Sequence, residues 1–145
     1  MNATSPIRIL AVDDHPMLLE GIFALLESES DMVVIAGACN GREAIDQFRA
    51  HRPDVTLMDL QMPVMSGNEA IRAIRRDFPE ARIIVLTTYT GDSRTVEAFK
   101  AGASGYLLKN EMRKELAGTI RSIHAGEKKI PPEIEVQLEI KQSCF

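Results

Sequence analysis

The sequence predicts an α/β protein built on a flavodoxin-like, doubly wound, five-stranded parallel sheet in the order 2-1-3-4-5. Three observations predict it. Short apolar runs alternate five times with stretches of helical periodicity. The runs are nearly continuous in hydrophobicity, as strands covered on both faces are. Four of them also end in polar residues that suit the crevice at the carboxyl edge of such a sheet. Right-handed crossovers then put helices on both faces.

The first strand is Ile7–Val12, ending at Asp13-Asp14. His15-Pro16 opens the first helix, since proline costs nothing in a first turn. Leu18, Leu19, Ile22, Leu25 and Leu26 recur along it at helical spacing. Residues 32–36 form the second strand. Asn40, with Glu43 three residues on, caps a second helix whose buried stripe is Ala44, Ile45 and Phe48, and Pro53 ends it. The third run, residues 55–58, leads straight into Asp59, and Met62-Pro63 breaks the chain beyond it.

Ser66 and Glu69 read as a capping box for the third helix, which turns Ala70, Ile71, Ala73 and Ile74 inward and stops at Phe78-Pro79. Residues 83–86 form the fourth strand, ending at Thr87-Thr88. Gly91-Asp92-Ser93 leads a fourth helix with a thin stripe of Val96, Ala98 and Phe99, closed by Gly102 as a C′ glycine. Residues 106–108 are a short fifth strand ending in Lys109. Asn110 is expected to cap a fifth helix with Met112, Leu116, Ile120 and Ile123 on its buried face, ending at Gly126. Thereafter the texture is charged and proline-broken. Residues 132–140 are expected to form at most a short helix with Ile134 and Leu138 on one side. The expected organisation is a tail over residues 1–6, one domain over 7–126 and the start of a linker over 127–145.

Composition narrows the function. With 45% hydrophobic residues the chain can bury a core. A net charge of -4 and a pI of about 5.4 argue against this chain gripping a nucleic acid backbone itself. No apolar run approaches the roughly 18 residues of a membrane span, and the short polar stretch before Pro6 is no signal peptide. A cytoplasmic location is expected. Cys39 and Cys144 make no disulfide framework.

The fold brings Asp13, Asp14, Asp59, Thr87 and Lys109 to one edge. Crowded carboxylates repel, and a hard divalent cation with oxygen ligands offsets that. Magnesium (or manganese) is expected, on Asp14, Asp59, the Gln61 carbonyl and water. Asp59 is then a carboxylate nucleophile suited to forming an aspartyl phosphate. Lys109 and the Thr87 hydroxyl are placed to meet the phosphoryl oxygens. Gln61 and Tyr89 each lie two residues past a site residue, where their side chains flank the path of attacking water and so tune the dephosphorylation rate.

These residues carry a resemblance. Asp13-Asp14, Asp59 with Met62-Pro63 and Gly67, Thr87, and the run Gly102-Ala103-Ser104-Gly105-Tyr106-Leu107-Leu108-Lys109 resemble the receiver domain of two-component response regulators, a CheY-like fold, over about residues 7–126. Asp13-Asp14-His15-Pro16 with Glu20-Gly21 resembles the NarL/FixJ (LuxR-type) subfamily. The resemblance implies that Asp59 accepts phosphate from a sensor histidine kinase, and that Asp13 joins Asp14 and Asp59 at the metal. It implies that Thr87 and Lys109 contact the phosphoryl group, and that the Tyr106 rotamer tracks Thr87. It further implies a homodimer on activation, through the first and fifth helices or else the face of the fourth helix, fifth strand and fifth helix. It places DNA binding in a C-terminal helix-turn-helix domain that this chain does not hold, and makes the protein a switch and not an enzyme.

The alternative is a stand-alone receiver acting through a protein partner. A haloacid dehalogenase-type phosphatase shares the aspartyl nucleophile but needs a second Asp two residues on, where Gln61 stands. A flavodoxin would meet repulsion between Asp13-Asp14 and its flavin phosphate. A receiver used only for docking would lack one of the site residues, and none is missing.

Overall fold

All five predicted strands and five predicted helices are present, in the predicted order. The computed structural model describes residues 5–89 and 93–143, so the expectations at Gly91, Asp92 and Cys144 lie outside the described residues. β1 (Ile7–Val12), β2 (Met32–Ala38), β3 (Val55–Asp59), β4 (Ile83–Thr87) and β5 (Gly105–Leu108) form one parallel sheet in the order β2-β1-β3-β4-β5. The helices are α1 (Pro16–Glu27), α2 (Gly41–His51), α3 (Gly67–Asp77), α4 (Ser93–Lys100), α5 (Met112–His124) and α6 (Pro132–Ser143). No helix among the described residues is long and apolar enough to cross a membrane.

Two cores sit on the two faces of the sheet. Leu19, Ile22 and Leu26 of α1 meet Leu116, Ile120 and Ile123 of α5 over one face. Phe48 of α2, Ile71 and Ile74 of α3 and Phe99 of α4 fill the other. β3 and β4 lie in the middle, buried along their whole length. Each fully buried Ile or Leu contributes about 1.5–3 kcal/mol, so this central pair is the stiffest part of the sheet. It carries Asp59 and Thr87 at its tips.

The local chemistry of the caps behaves as read. The Asn40 side chain accepts from the Glu43 N–H at 2.9 Å, and the Glu43 carboxylate accepts from the Cys39 N–H at 2.9 Å. Ser66 and Glu69 form the reciprocal capping box. Gly102 has φ 114, the left-handed conformation a C′ glycine supplies.

Four expectations need correction. β2 runs two residues further than residue 36, because a bulge opposite the Ile9/Leu10 step absorbs one residue and lets pairing continue to Val12 and Ala38. Asn110 is not a cap: Lys109–Glu111 closes into a 3-10 turn that feeds α5 directly, and Glu111 stands at the cap position with no side-chain bond. Ala73 and Val96 are only half-buried, and Thr95 takes the inward place on α4.

The last correction concerns the segment after Gly126. The Lys129 N–H donates to the Ser104 carbonyl at 3.0 Å, and Lys129 pairs with Gly105 as a single parallel bridge along the open side of β5. α6 then runs to Ser143, past the expected end at residue 140, and buries Ile134 completely in the core cluster that holds Phe99 and Ala103. The two prolines stop the bridge from becoming a strand, and Pro132 opens the helix at a position where its missing N–H costs nothing.

Candidate functional site

β1 ends one residue before Asp13, which is fully buried; Asp14 is partly exposed. β3 ends on Asp59, which is 3% exposed. Lys109 stands just past β5, and its ammonium lies 3.1 Å from Asp59 Oδ1 and 3.4 Å from Asp13 Oδ2. One cation thus straddles two buried carboxylates contributed by separate strands. The Gln61 N–H also donates to Asp59 Oδ1, at 3.3 Å. Burial pushes the Asp59 carboxyl above its ordinary range and the Asp13 charge pushes it further, while Lys109 and the Gln61 N–H pull it back in part.

Positive charge is still short here. Asp59 Oδ2 makes neither a hydrogen bond nor an ion pair, and Asp13 Oδ2 and Asp14 Oδ1 make no hydrogen bond, with only Lys109 and His15 respectively at ion-pair range. Leaving such atoms buried and unsatisfied costs about 1–3 kcal/mol each, more for charged groups. An all-oxygen set with orphaned lone pairs fits a hard divalent cation. Three carboxylates and the imidazole of His15 each offer an atom within 4.8 Å of the others. His15 Nδ1 lies 3.0 Å from Asp13 Oδ1 and 3.2 Å from Asp14 Oδ1. Its hydrogen bond to Asp13, then the Asp14 charge, raises its pKa.

Thr87 lies at the tip of β4, 8% exposed, and lines a small cleft of about 30 Å³ with Asp59, Gln61, Arg94 and Lys109. Its hydroxyl is engaged locally, accepting from the Tyr89 N–H at 3.2 Å and donating to the Tyr89 carbonyl at 3.1 Å. The Tyr89 ring is 65% exposed. Tyr106 does not reach this cleft. Its register opposite Val85 puts it on Thr87's side of the sheet, two residues short of the tip, with Lys129 Nζ over its ring at 5.3 Å.

Asp13, Asp14, Asp59 and Lys109 therefore converge as the sequence suggested, with Gln61 and Thr87 at the rim. Two neighbours escaped the sequence reading. The Gln61 amide, assigned with its oxygen toward Arg94, accepts from that guanidinium, Nη2 at 3.0 Å. Nothing in the helical periodicity of α4 marks Arg94. His15 has a signal, its place directly after Asp14, but enters the sequence reading only through the helix start and the subfamily motif, with no role at the site.

The loop from β3 to α3 is tightly specified. Val64 has φ 69, and the Met65 N–H donates to the Pro63 carbonyl at 2.7 Å. That is the rare positive-φ γ-turn, which for a β-branched residue stores on the order of 1–3 kcal/mol. Gly67 then presses against the strand it left. A Cβ there would stand 2.8 Å from Leu60 Cα, 3.0 Å from the Asp59 carbonyl carbon, and closer still to its oxygen.

Comparison with known proteins gives one answer. Residues 9–121 match the family described as the response regulator receiver domain. The chain is 36% identical over 132 residues to the transcriptional regulatory protein LnrK of Bacillus subtilis and to the response regulator protein VraR of Staphylococcus aureus. Each match covers 91% of this chain but only 60% and 63% of those relatives. Among solved structures, a LuxR-family two-component response regulator from Aurantimonas sp. SI85-9A1 is similar at 37% identity and TM-score 0.83, over 96% of this chain and 99% of that one. The receiver domain of a putative NarL response regulator from Mycobacterium tuberculosis is similar at 29% identity and TM-score 0.80, over 86% of this chain and 100% of that one.

Proposed function

Because the chain belongs to the response regulator receiver domain family, we propose that Asp59 is the residue on which it is phosphorylated, by a phosphohistidine of a sensor histidine kinase. The family is one of signalling switches of two-component systems, and its LuxR-type members are this chain's relatives. The observation that carries the assignment is Lys109 bridging Asp59 and Asp13 while Asp59 Oδ2 stays buried and unpartnered.

An Asp59 oxygen attacks phosphorus as the P–N bond of the donor breaks and the imidazole leaves. Magnesium or manganese, held by Asp13, Asp14, Asp59 and the Gln61 carbonyl, would supply the charge neutralisation that phosphoryl transfer needs. Transfer converts the Asp59 carboxylate into an acyl phosphate, so Lys109 Nζ follows the negative charge from the carboxylate to the phosphoryl oxygens. The Thr87 hydroxyl exchanges its Tyr89 backbone bonds for a phosphoryl oxygen, which loosens the turn after β4 and opens room for Tyr106 to follow. Gln61, which lines the cleft, and Tyr89, whose backbone holds the Thr87 hydroxyl, set the phosphoryl lifetime.

Beryllofluoride with magnesium imitates the phosphoryl group and tests this directly. Wild-type amide resonances around Thr87 and α4 should shift. Lys109→Ala should keep its magnesium affinity and lose most of that shift. A wild-type spectrum indifferent to beryllofluoride would refute the reading. Gln61→Ala and Tyr89→Ala should each change the dephosphorylation rate severalfold, and rates matching wild type would remove both residues from that role.

The remaining assignments follow from the family. Residues 7–126 are the receiver, and the segment after them is a linker whose stretch from Lys129 to Leu138 packs back on β5 and the core beside α4. The output is DNA binding by a domain outside this chain, in line with one relative's name as a transcriptional regulatory protein. A cytoplasmic location goes with this role. Activation pairs two copies through α1 and α5. Exposed Met17 on α1 leaves that helix open to a second copy, and α6 already covers the α4 side of β5. Cysteines on the exposed side of α5 should crosslink across two copies to one in α1 and not to one in α4, and only after phosphorylation. The reverse pattern would assign the other face.

A further inference from the structure

We propose that His15 is a nitrogen ligand of the carboxylate site, and that it makes a first-row transition ion, not magnesium, the site's tightest divalent cation. The proposal rests on the metal-binding reading above and concerns what this chain's own donor set selects. Three features of His15 support it. Its Nδ1 stands 3.0 Å from Asp13 Oδ1 and 3.2 Å from Asp14 Oδ1, so it already faces the space the carboxylates enclose. Its N–H donates to Asp13 Oδ1 at 2.9 Å, which fixes the backbone that carries the ring. The ring itself caps nothing, although His15 occupies the N-cap position of α1, and it is 68% exposed. It is therefore free to turn through the short distance that separates a hydrogen bond to a carboxylate from a bond to a cation between them.

The buried side of the cluster supplies an independent pointer. Asp59, 3% exposed, keeps Oδ2 without a hydrogen bond or an ion pair, and fully buried Asp13 meets only the Lys109 ammonium at its Oδ2, at 3.4 Å. With the imidazole added, the donor set is three carboxylates and one nitrogen, all within 4.8 Å. Carboxylates alone suit magnesium. An imidazole adds little for magnesium but contributes increasingly along the series from manganese to nickel and copper. The competing possibility is that His15 only clamps Asp13 and Asp14 as a cation. In that case it opposes every metal ion equally.

The two possibilities make opposite predictions. The metal-free full chain, at pH about 8, above the ordinary imidazole range, is titrated calorimetrically with magnesium and with nickel. Wild type, His15→Ala and His15→Gln are compared. Wild type should bind nickel more tightly than magnesium. Both variants should lose about tenfold or more in nickel affinity while magnesium affinity changes less than about threefold. In wild type loaded with manganese, pulsed electron paramagnetic resonance should show coupling to an imidazole nitrogen that both variants lack. Equal losses for the two ions, no loss for either, or a gain for both would overturn the proposal. Wild type that binds neither ion, with its thermal transition intact, would instead sink the metal-site reading on which it rests. The variants lose the ring's bond to Asp13 as well, so a cooperative thermal transition in both, measured metal-free, separates ligand loss from misfolding.

Discussion

Asp59→Asn removes phosphoryl incorporation: after incubation with acetyl phosphate and magnesium, wild type gains the mass of one phosphoryl group and the variant gains none. The loss is expected to be complete at the sensitivity of intact mass, because an amide oxygen is a poor nucleophile and no second carboxylate occupies the β3 tip. An equal gain in the variant would move the phosphorylation site elsewhere. The same substitution should make the metal-free protein more stable. Burial and the Asp13 charge hold the Asp59 carboxyl above its ordinary range. A carboxyl whose folded pKa is raised costs stability wherever it is ionised, that is, above its unfolded pKa. Removing the charge should therefore raise Tm near neutral pH by a few degrees. The gain should vanish at acid pH, where Asp59 is protonated in both states. It should also shrink in magnesium, which stabilises only the wild-type site. A variant less stable than wild type at pH 7 without metal would show that Lys109 outweighs desolvation and Asp13 together.

Gly67→Ala should be far more damaging than its single methyl suggests. That methyl meets the Asp59 and Leu60 backbone, not a side chain that can swing away. Either α3 retreats from the sheet or the tip of β3 bends. We expect a loss of about 3 kcal/mol, read as a Tm roughly 10 °C lower, together with impaired phosphorylation because the bend lands on Asp59 itself. Gly21→Ala is the internal control. A Cβ on Gly21, in the middle of α1, meets nothing within 4 Å. There the gain in helix propensity should dominate, stabilising by about 1 kcal/mol. Two glycine-to-alanine changes of the same sign would contradict this account of the β3–α3 junction.

The site was legible because its residues sit where topology dictates. Once residues 55–58 are a parallel strand, Asp59 must stand at its carboxyl end, and Asp13, Thr87 and Lys109 follow by the same logic. Cap chemistry at Asn40 and Ser66 was equally local and equally readable. What escaped depends on contacts between elements. The bulge in β2 arises from its pairing with β1. The 3-10 turn at Lys109–Glu111 lies where Lys109 reaches back to Asp59, a pull that a cap preference at Asn110 does not register. Val64 adopts a conformation that its own side chain disfavours, so no propensity announces it. Arg94 joins the cleft through Gln61, across two loops. The docking of α6 rests on Ile134 and half-buried Leu138 alone, in a helix otherwise rich in charge, too faint a stripe to read as packing.

The bridge from Lys129 to Gly105 bears on how this domain is cut. A fragment that stops at Gly126 looks sensible from the end of α5. It would nonetheless bare the outer side of β5 and leave the hole that Ile134 fills. An uncovered strand of this kind templates pairing with another molecule, so a biosensor or fusion built on that boundary would be prone to sticking and slow precipitation. Placing the junction beyond Leu138 keeps the sheet's own cover in place, and a grafted output module would then follow a helix already docked on the sheet.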